Sequence, residues 1–260
     1  MVCHYGQGSC TVSKIQFIFS NPQTLKPSVP EPVEGQTLKP SNVPLHRHDI
    51  QPDGTEIGLW HIEEDEAELR GGLNLHPVEA AQLSAISHER RRVEWLAGRR
   101  LLHHMSGRAV RGACLKDAFG KPYLYESRFH ISLSHSGDFA AVIAGPSPVG
   151  IDIQRMVPRI GRIADRFITE AESSVILPES ATEHQHVYWC AKEALYKAYG
   201  RKLLDARRDM HILPKPYREA GDTLTGEVRK GDFAARYTIQ YRTFYQNQYM
   251  LAWAAQTKLL

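Results

Sequence analysis

The chain has 260 residues, 42% of them hydrophobic and 23% charged, with 32 Lys and Arg against 29 Asp and Glu. This is an ordinary globular balance, and it excludes collagen-like, coiled-coil and wholly disordered chains. The net charge of +3 names no partner, but it is unevenly spread. Seven arginines and one acid, Glu94, lie between Arg90 and Arg111, an excess of +6 that leaves −3 for the rest.

Residues 1–55 read as a Pro-rich, irregular and dispensable leader. Gln23-Thr24-Leu25-Lys26-Pro27-Ser28 recurs as Gln36-Thr37-Leu38-Lys39-Pro40-Ser41, and five prolines between Pro22 and Pro40 forbid a continuous helix or central strand. The apolar stretch Ile15 to Phe19 is too short for a signal h-region, and no run approaches the ~18 residues of a membrane span. Four scattered cysteines, Cys3, Cys10, Cys114 and Cys190, have no C-x-x-C spacing and predict reduced thiols in a cytoplasmic protein.

Folded sequence is expected from Glu56. Alternation over Glu56 to Ile62 predicts a half-buried strand, and apolar spacing from Pro77 to Met105 predicts one long helix stopped by Gly107. Strands follow at Tyr123 to Tyr125, Phe129 to Leu133, Ala140 to Ala144 and Val149 to Ile153. Helices are predicted from Thr169 to about Ile176 and from Thr182 to Tyr199, the second ended by Gly200. Strands return at Thr225 to Val228, Ala235 to Tyr241 and Tyr249 to Ala254. Strands and helices thus occur twice over. An α+β pair of subdomains is expected, residues 56–146 and 147–260, divided near Pro146-Ser147-Pro148.

Five segments carry residues suited to chemistry. In Val149-Gly150-Ile151-Asp152-Ile153-Gln154, strand alternation puts Asp152 and Gln154 on one face, a carboxylate and an amide for a hard cation. In the second helix, Glu193 and Lys197 stand one turn apart. They could be a plain surface ion pair, or a glutamate for a metal or a proton beside a lysine for phosphate. Ser134-His135-Ser136 offers hydroxyls and an imidazole at a strand end, which suits phosphate oxygens or a self-capping turn equally. Lys116 and Gly120-Lys121-Pro122 hold ammonium groups near a turn, without the signature of a P-loop. The basic segment with Arg91, Arg92 and Arg99 is either a solvated face or a phosphate-binding one. A nucleic-acid-binding chain would want a wider basic surface than the −3 of the remainder allows.

The order and spacing of Glu94-Trp95-Leu96-Ala97-Gly98-Arg99, Gly120-Lys121-Pro122, Ser134-His135-Ser136, Gly150-Ile151-Asp152-Ile153 and Trp189-x-x-Lys192-Glu193-Ala194-x-x-Lys197 resemble the surfactin-type 4′-phosphopantetheinyl transferases of the W-x-x-K-E-A branch. The resemblance spans Glu56 to Leu260; the leader has no counterpart in it. It implies a pseudo-twofold pair of α+β subdomains with the active site in the cleft between them. It also implies transfer of the phosphopantetheine arm of coenzyme A to a serine of an apo carrier protein, releasing adenosine 3′,5′-bisphosphate. By resemblance, Asp152 and Glu193 are Mg²⁺ ligands and Glu193 also deprotonates the serine. Lys192 and Lys197 neutralise the pyrophosphate. Lys121, Ser134 and His135 hold coenzyme A phosphates, with Lys116 and Arg91, Arg92 or Arg99 at the 3′-phosphate. Many members carry a second acid where this chain has Gln154, which makes Gln154 a weak third ligand. The resemblance further implies a monomer that acts on an acidic carrier, with no nucleic-acid or membrane partner. The other reading it leaves open is a degenerate protein that binds coenzyme A or carrier without catalysis.

Overall fold

The structure, a computed structural model, describes residues 45–260; the repeat, Cys3 and Cys10 lie outside them. The first element is already a departure from expectation. Leu45–Ile50 forms β1, antiparallel to β2 (Glu56–His61), inside the stretch assigned to the leader. Its side chains explain why it holds. Asp49 accepts from Arg47 and from Arg242, 193 residues away, and His48 bridges to Glu56. Strand order rests here on long-range charge pairing that local composition does not display.

Two short helices follow, α1 (Glu66–Gly71) and α2 (Pro77–Ser84), each opened by a capping box, Asp65 with Glu68 and His76 with Glu79. The long helix expected from Pro77 is broken. It resumes only as α3 (Glu89–Ser106), because the Arg92 guanidinium takes the carbonyls of Ile86 and Ser87 and holds residues 85–88 as a turn. Then come β3 (Cys114–Lys116), β4 (Pro122–Leu124), β5 (His130–Ser136) and β6 (Phe139–Gly145). The first sheet is antiparallel in the order β1-β2-β6-β5-β4-β3.

β7 (Val149–Arg155) starts the second sheet. A 3-10 helix (Pro158–Arg166), the one-turn α4 (Glu170–Ser173) and α5 (Ala181–Tyr199) precede β8 (Met210–Ile212), β9 (Asp222–Lys230), β10 (Phe233–Phe244) and β11 (Tyr249–Leu259). The order is β7-β11-β10-β9-β8, again antiparallel, so β7 is an edge strand. The fold class is α+β, each sheet carrying one long helix.

Three cores hold the layers. Leu96, Leu101 and Leu102 of α3 pack on Ile131, Ala140 and Val142. Ala191, Ala194 and Leu195 of α5 pack on Val228, Tyr237 and Ala252. Between the sheets, Ile57, Phe139 and Ile143 meet Val149, Ile151, Ile153 and Leu251. β6 is buried on both faces, which is why its sequence is a continuous apolar run rather than an alternation. The described residues, 45–260, belong to one compact unit, with that third core shared between the sheets.

Candidate active site

β7 presents its two faces to different partners. Ile151 and Ile153 enter the core between the sheets, and Asp152, only 6% exposed, turns the other way toward α5 and β5. Lys197 of α5 donates to Asp152 Oδ1 at 2.7 Å, to Ser134 Oγ at 2.9 Å and to the Ile151 carbonyl at 2.9 Å. Ser134 donates its own proton to Asp152 Oδ1 at 2.8 Å. Glu193 stands one turn before Lys197 and is half-buried. Burial first, and then the nearby Asp152 charge, hold its carboxyl above the usual range, with Lys197 pulling the other way. The second helix therefore carries an acid and a cation toward the carboxylate of β7, which is more than a surface ion pair.

The close approach of α5 to β7 has a simple cause. A Cβ on Gly150 would lie 2.6 Å from the backbone nitrogen of Ala198 and closer still to the Ala194 carbonyl oxygen. Glycine in the Gly-Ile-Asp sequence is thus a packing requirement, and α5 ends cleanly at Tyr199 because Gly200 adopts φ 72°.

Ser134 and His135 also form one wall of a cleft of about 630 Å³ whose other walls include Arg91, Trp95, Arg99 and Lys116. Arg99 is 6% exposed and lies 3.5 Å over the Trp95 ring. Burial lowers its pKa to about 10, against the raising effect of Cys114 and Glu79. Glu79 is shared. It takes Arg111 at 2.7 Å and stands 3.9 Å from Arg99 Nε, so two buried guanidiniums face one carboxylate and Arg99 Nε has no hydrogen-bond partner among the described residues. A partly uncompensated cation stacked on an aromatic wall suits an anion. Arg91 and Lys116 make no ion pair among the described residues. His135 meets Glu94 at 3.0 Å, and burial holds its imidazole below the usual pKa, against the opposing effect of Glu94.

Several expected roles are not where the side chains point. Lys192 is 2% exposed and faces away from Asp152. Its ammonium donates to Glu172, the Phe167 carbonyl and the Ala206 carbonyl, which exhausts its three donors. It ties α5 to the corners on either side of it, because a residue adjacent to Glu193 on a helix must point elsewhere. Arg92 is likewise committed, to Glu66 at 2.7 Å and to the turn before α3. Ser134 has no free capacity for phosphate: its one proton goes to Asp152, and its lone pairs take Lys197 and the Ile153 N–H at 3.3 Å. Gln154 lines a small depression with Trp189 and His186, and its amide donates to the Arg155 carbonyl at 3.4 Å.

Lys121 reaches the C-terminal end of α5, donating to the Ala198 carbonyl at 2.6 Å beside Tyr199 and Gly200. Burial lowers its pKa to about 8, with Asp117 opposing. An unfolded lysine titrates near 10.4, so between pH 8 and that value the unfolded chain holds more protons and stability rises with pH. Lys121→Met should abolish this slope. Urea midpoints at pH 7.5 and pH 10 should rise for the unmodified chain relative to the variant, and parallel midpoints would refute the assignment.

Three partners escaped sequence reading: Glu79, Glu172 and the hydroxyl of Ser132. Glu79 and Glu172 stand in local capping boxes, but these do not disclose Arg111 and Lys192, 32 and 20 residues away, and nothing local points Ser132 at the Ile151 N–H. The surplus of arginines also looks different in space. Arg90 (to Asp138 and Glu94), Arg92, Arg99 and Arg111 all have acidic neighbours. Exposed Arg155, Arg159, Arg162 and Arg166 make no side-chain ion pair among the described residues.

Residues 148–254 match the model of the 4′-phosphopantetheinyl transferase superfamily. Curated relatives include 4′-phosphopantetheinyl transferase psf-1 of Bacillus pumilus, 39% identical over 87 residues, which is 32% of this chain and 37% of that protein. The transferase Sfp of Bacillus subtilis (strain 168) is 32% identical over 89 residues, 33% of this chain and 40% of its own length. The transferase AcpT of Escherichia coli O157:H7 is 32% identical over 119 residues, 42% of this chain and 59% of its own. The chain thus spans about two-fifths of the length of the Bacillus relatives it matches.

Proposed function

We propose that this chain, whose residues 148–254 form a domain of the 4′-phosphopantetheinyl transferase superfamily, transfers the phosphopantetheine arm of coenzyme A to a serine of an apo acyl or peptidyl carrier protein. The observation that carries the reading is the Asp152–Ser134–Lys197 cluster with Glu193 beside it, joined through His135 to a basic cleft of about 630 Å³. A cation, two carboxylates and a polycationic wall are the groups that displacement at a pyrophosphate requires.

The donor set fits a divalent cation. Mg²⁺ takes one or two carboxylates and completes its shell with water and phosphate oxygens, and the Asp152 charge lies near enough to Glu193 to disfavour ionisation of the Glu193 carboxyl. They are the two residues that would hold it, with Gln154 outside the pair. When bound, the ion supplies charge neutralisation on the pyrophosphate. The chain's own residues do the rest. Arg99, Arg91 and Lys116 bind the nucleotide phosphates in the cleft. Lys197, fixed against Asp152, sets its ammonium beside the pyrophosphate. Glu193, with its raised proton affinity, takes the proton of the incoming serine hydroxyl at its carboxylate. The serine oxygen bonds to the β-phosphorus as the bridging P–O bond breaks, and adenosine 3′,5′-bisphosphate leaves with the electron pair. Retention of Asp152, Glu193 and Lys197 in one cluster favours this over a non-catalytic binder.

The carrier would dock on the 3-10 helix. Its apolar side, Ile160 and Ile163, packs inward, and Arg155, Arg159, Arg162 and Arg166 stay exposed along it, beside the Gln154–Trp189 depression. An acidic protein complements that stripe. Changing Arg159 and Arg162 together to glutamate should raise the KM for carrier about tenfold or more, flatten its salt dependence, and leave the KM for coenzyme A unchanged.

Mass spectrometry of apo carrier proteins incubated with coenzyme A and Mg²⁺ tests the reaction. One phosphopantetheine should appear on a serine; no adduct on any carrier class would refute the reading. Among the described residues, no helix is long and apolar enough to cross a membrane.

A further inference from the structure

β7 is an edge strand of the second sheet, so the N–H groups of Ile151, Ile153 and Arg155, which point away from β11, have no strand to receive them. The Ile151 and Ile153 donors are buried, and buried edge donors must find another acceptor. They find three serines of β5, at a constant offset of nineteen residues. Ile151 N–H donates to Ser132 Oγ at 3.2 Å, Ile153 N–H to Ser134 Oγ at 3.3 Å and Arg155 N–H to Ser136 Oγ at 3.0 Å. The alternation of β5 makes this possible: Ile131 and Leu133 face the core under α3, and the serines line the opposite face. A ladder of side-chain hydroxyls therefore closes the free edge of β7 and joins one sheet to the other.

The middle rung differs from its neighbours. Ser132 and Ser136 make no side-chain contact with Asp152 or Lys197. Ser134 donates to Asp152 Oδ1 at 2.8 Å and accepts from Lys197 Nζ at 2.9 Å. With the Ile153 N–H, this uses the hydroxyl's whole capacity of one donor and two acceptors. We infer that Ser134 is a positioning residue: it locks the Asp152 carboxylate and the Lys197 ammonium in one geometry and references both to the serine ladder, without touching substrate phosphate. The kinetic part of this inference rests on the transfer reaction proposed above; the ladder does not.

The test uses the full chain and its Ser132→Ala, Ser134→Ala, Ser136→Ala and Ser134→Thr variants. Amide hydrogen exchange followed by NMR should show each alanine variant losing protection at its own partner, Ile151, Ile153 or Arg155, and nowhere else on β7. In transfer assays, Ser134→Ala should lower kcat by about 10- to 100-fold with the KM for coenzyme A within twofold. Ser134→Thr, which keeps the hydroxyl, should recover most of kcat, and Ser132→Ala and Ser136→Ala should leave kcat unchanged. Calorimetric titration of coenzyme A in metal-free buffer should give the same Kd for Ser134→Ala as for the parent. A raised KM or Kd with kcat preserved would make Ser134 a phosphate ligand and overturn the inference, as would unchanged kcat in Ser134→Ala or unchanged exchange at Ile153. If the parent chain modified no carrier at all, the transfer reading would fail by itself, and the exchange and calorimetry would still decide the role of Ser134.

Discussion

Replacing Asp152 or Glu193 by alanine is expected to reduce carrier modification by about 10³-fold or more, whereas Gln154→Ala retains activity within about tenfold of the parent. The reasoning is electrostatic in the first case. Asp152 accepts from both Lys197 and Ser134, so its removal leaves an ammonium without its counter-charge, and a lost preorganised partner of this kind costs about 10²–10³ in rate. In the second case the loss is a base as well as a metal ligand. A positioned general base contributes about 10²–10⁴, and burial has already tuned the Glu193 carboxyl upward toward that role. Gln154 differs from both because its amide lines the depression with Trp189 and His186 and makes no hydrogen bond to Asp152 or Lys197 among the described residues. Initial rates with saturating coenzyme A and Mg²⁺ would check all three. Breaking a largely buried ion pair also destabilises, so Asp152→Asn, which preserves volume, belongs beside Asp152→Ala, with thermal unfolding recorded for both. Full activity in either acid variant would sink the assignment.

The residues that define this cluster were legible because their signal is local. A strand that alternates Ile151, Asp152 and Ile153 must show Asp152 to one side, and Glu193 and Lys197 one turn apart on a helix must share a face. Helix α5 was legible to its last residue because Gly200 punctuates it. What failed is what depends on distance. Lys192 sits next to Glu193 in the motif, and its neighbourhood in sequence suggests a shared task. Helical geometry instead sends it to the buried Glu172, twenty residues earlier. β1 was hidden by the composition of the residues before it, since Asp49 finds its long-range partner at Arg242. The +6 excess between Arg90 and Arg111 read as a field directed at a ligand. Much of it neutralises Glu66, Glu79, Glu94 and Asp138, and only part, around Arg91 and Arg99, addresses the cleft. Charge counts along a chain measure supply, and the folded structure decides how much of it remains unspent.

Gly150→Ala is expected to lower transfer about 10²-fold, although Gly150 touches no substrate. The added methyl would sit 2.6 Å from the Ala198 nitrogen and closer to the Ala194 carbonyl. Both are backbone atoms of α5, which cannot rotate out of the way as a flexible side chain would. The helix must shift by about an ångström to restore ordinary contact, and forcing a well-packed interface apart costs about 1–3 kcal/mol. For a chain of this size that corresponds to a fall in Tm of roughly 3–10 °C. The functional loss should exceed the loss of stability, because the shifted element carries Glu193 and Lys197 while Asp152 stays on β7. A displacement of that order between reacting groups costs about 10²-fold in rate. Gly71→Ala is the matched control, since a Cβ there meets nothing within 4 Å. Unfolding curves and kcat for the two variants, measured well below Tm, separate the effects. A Gly150→Ala protein that is folded and fully active would show that α5 and β7 need not stay in register for the reaction to proceed.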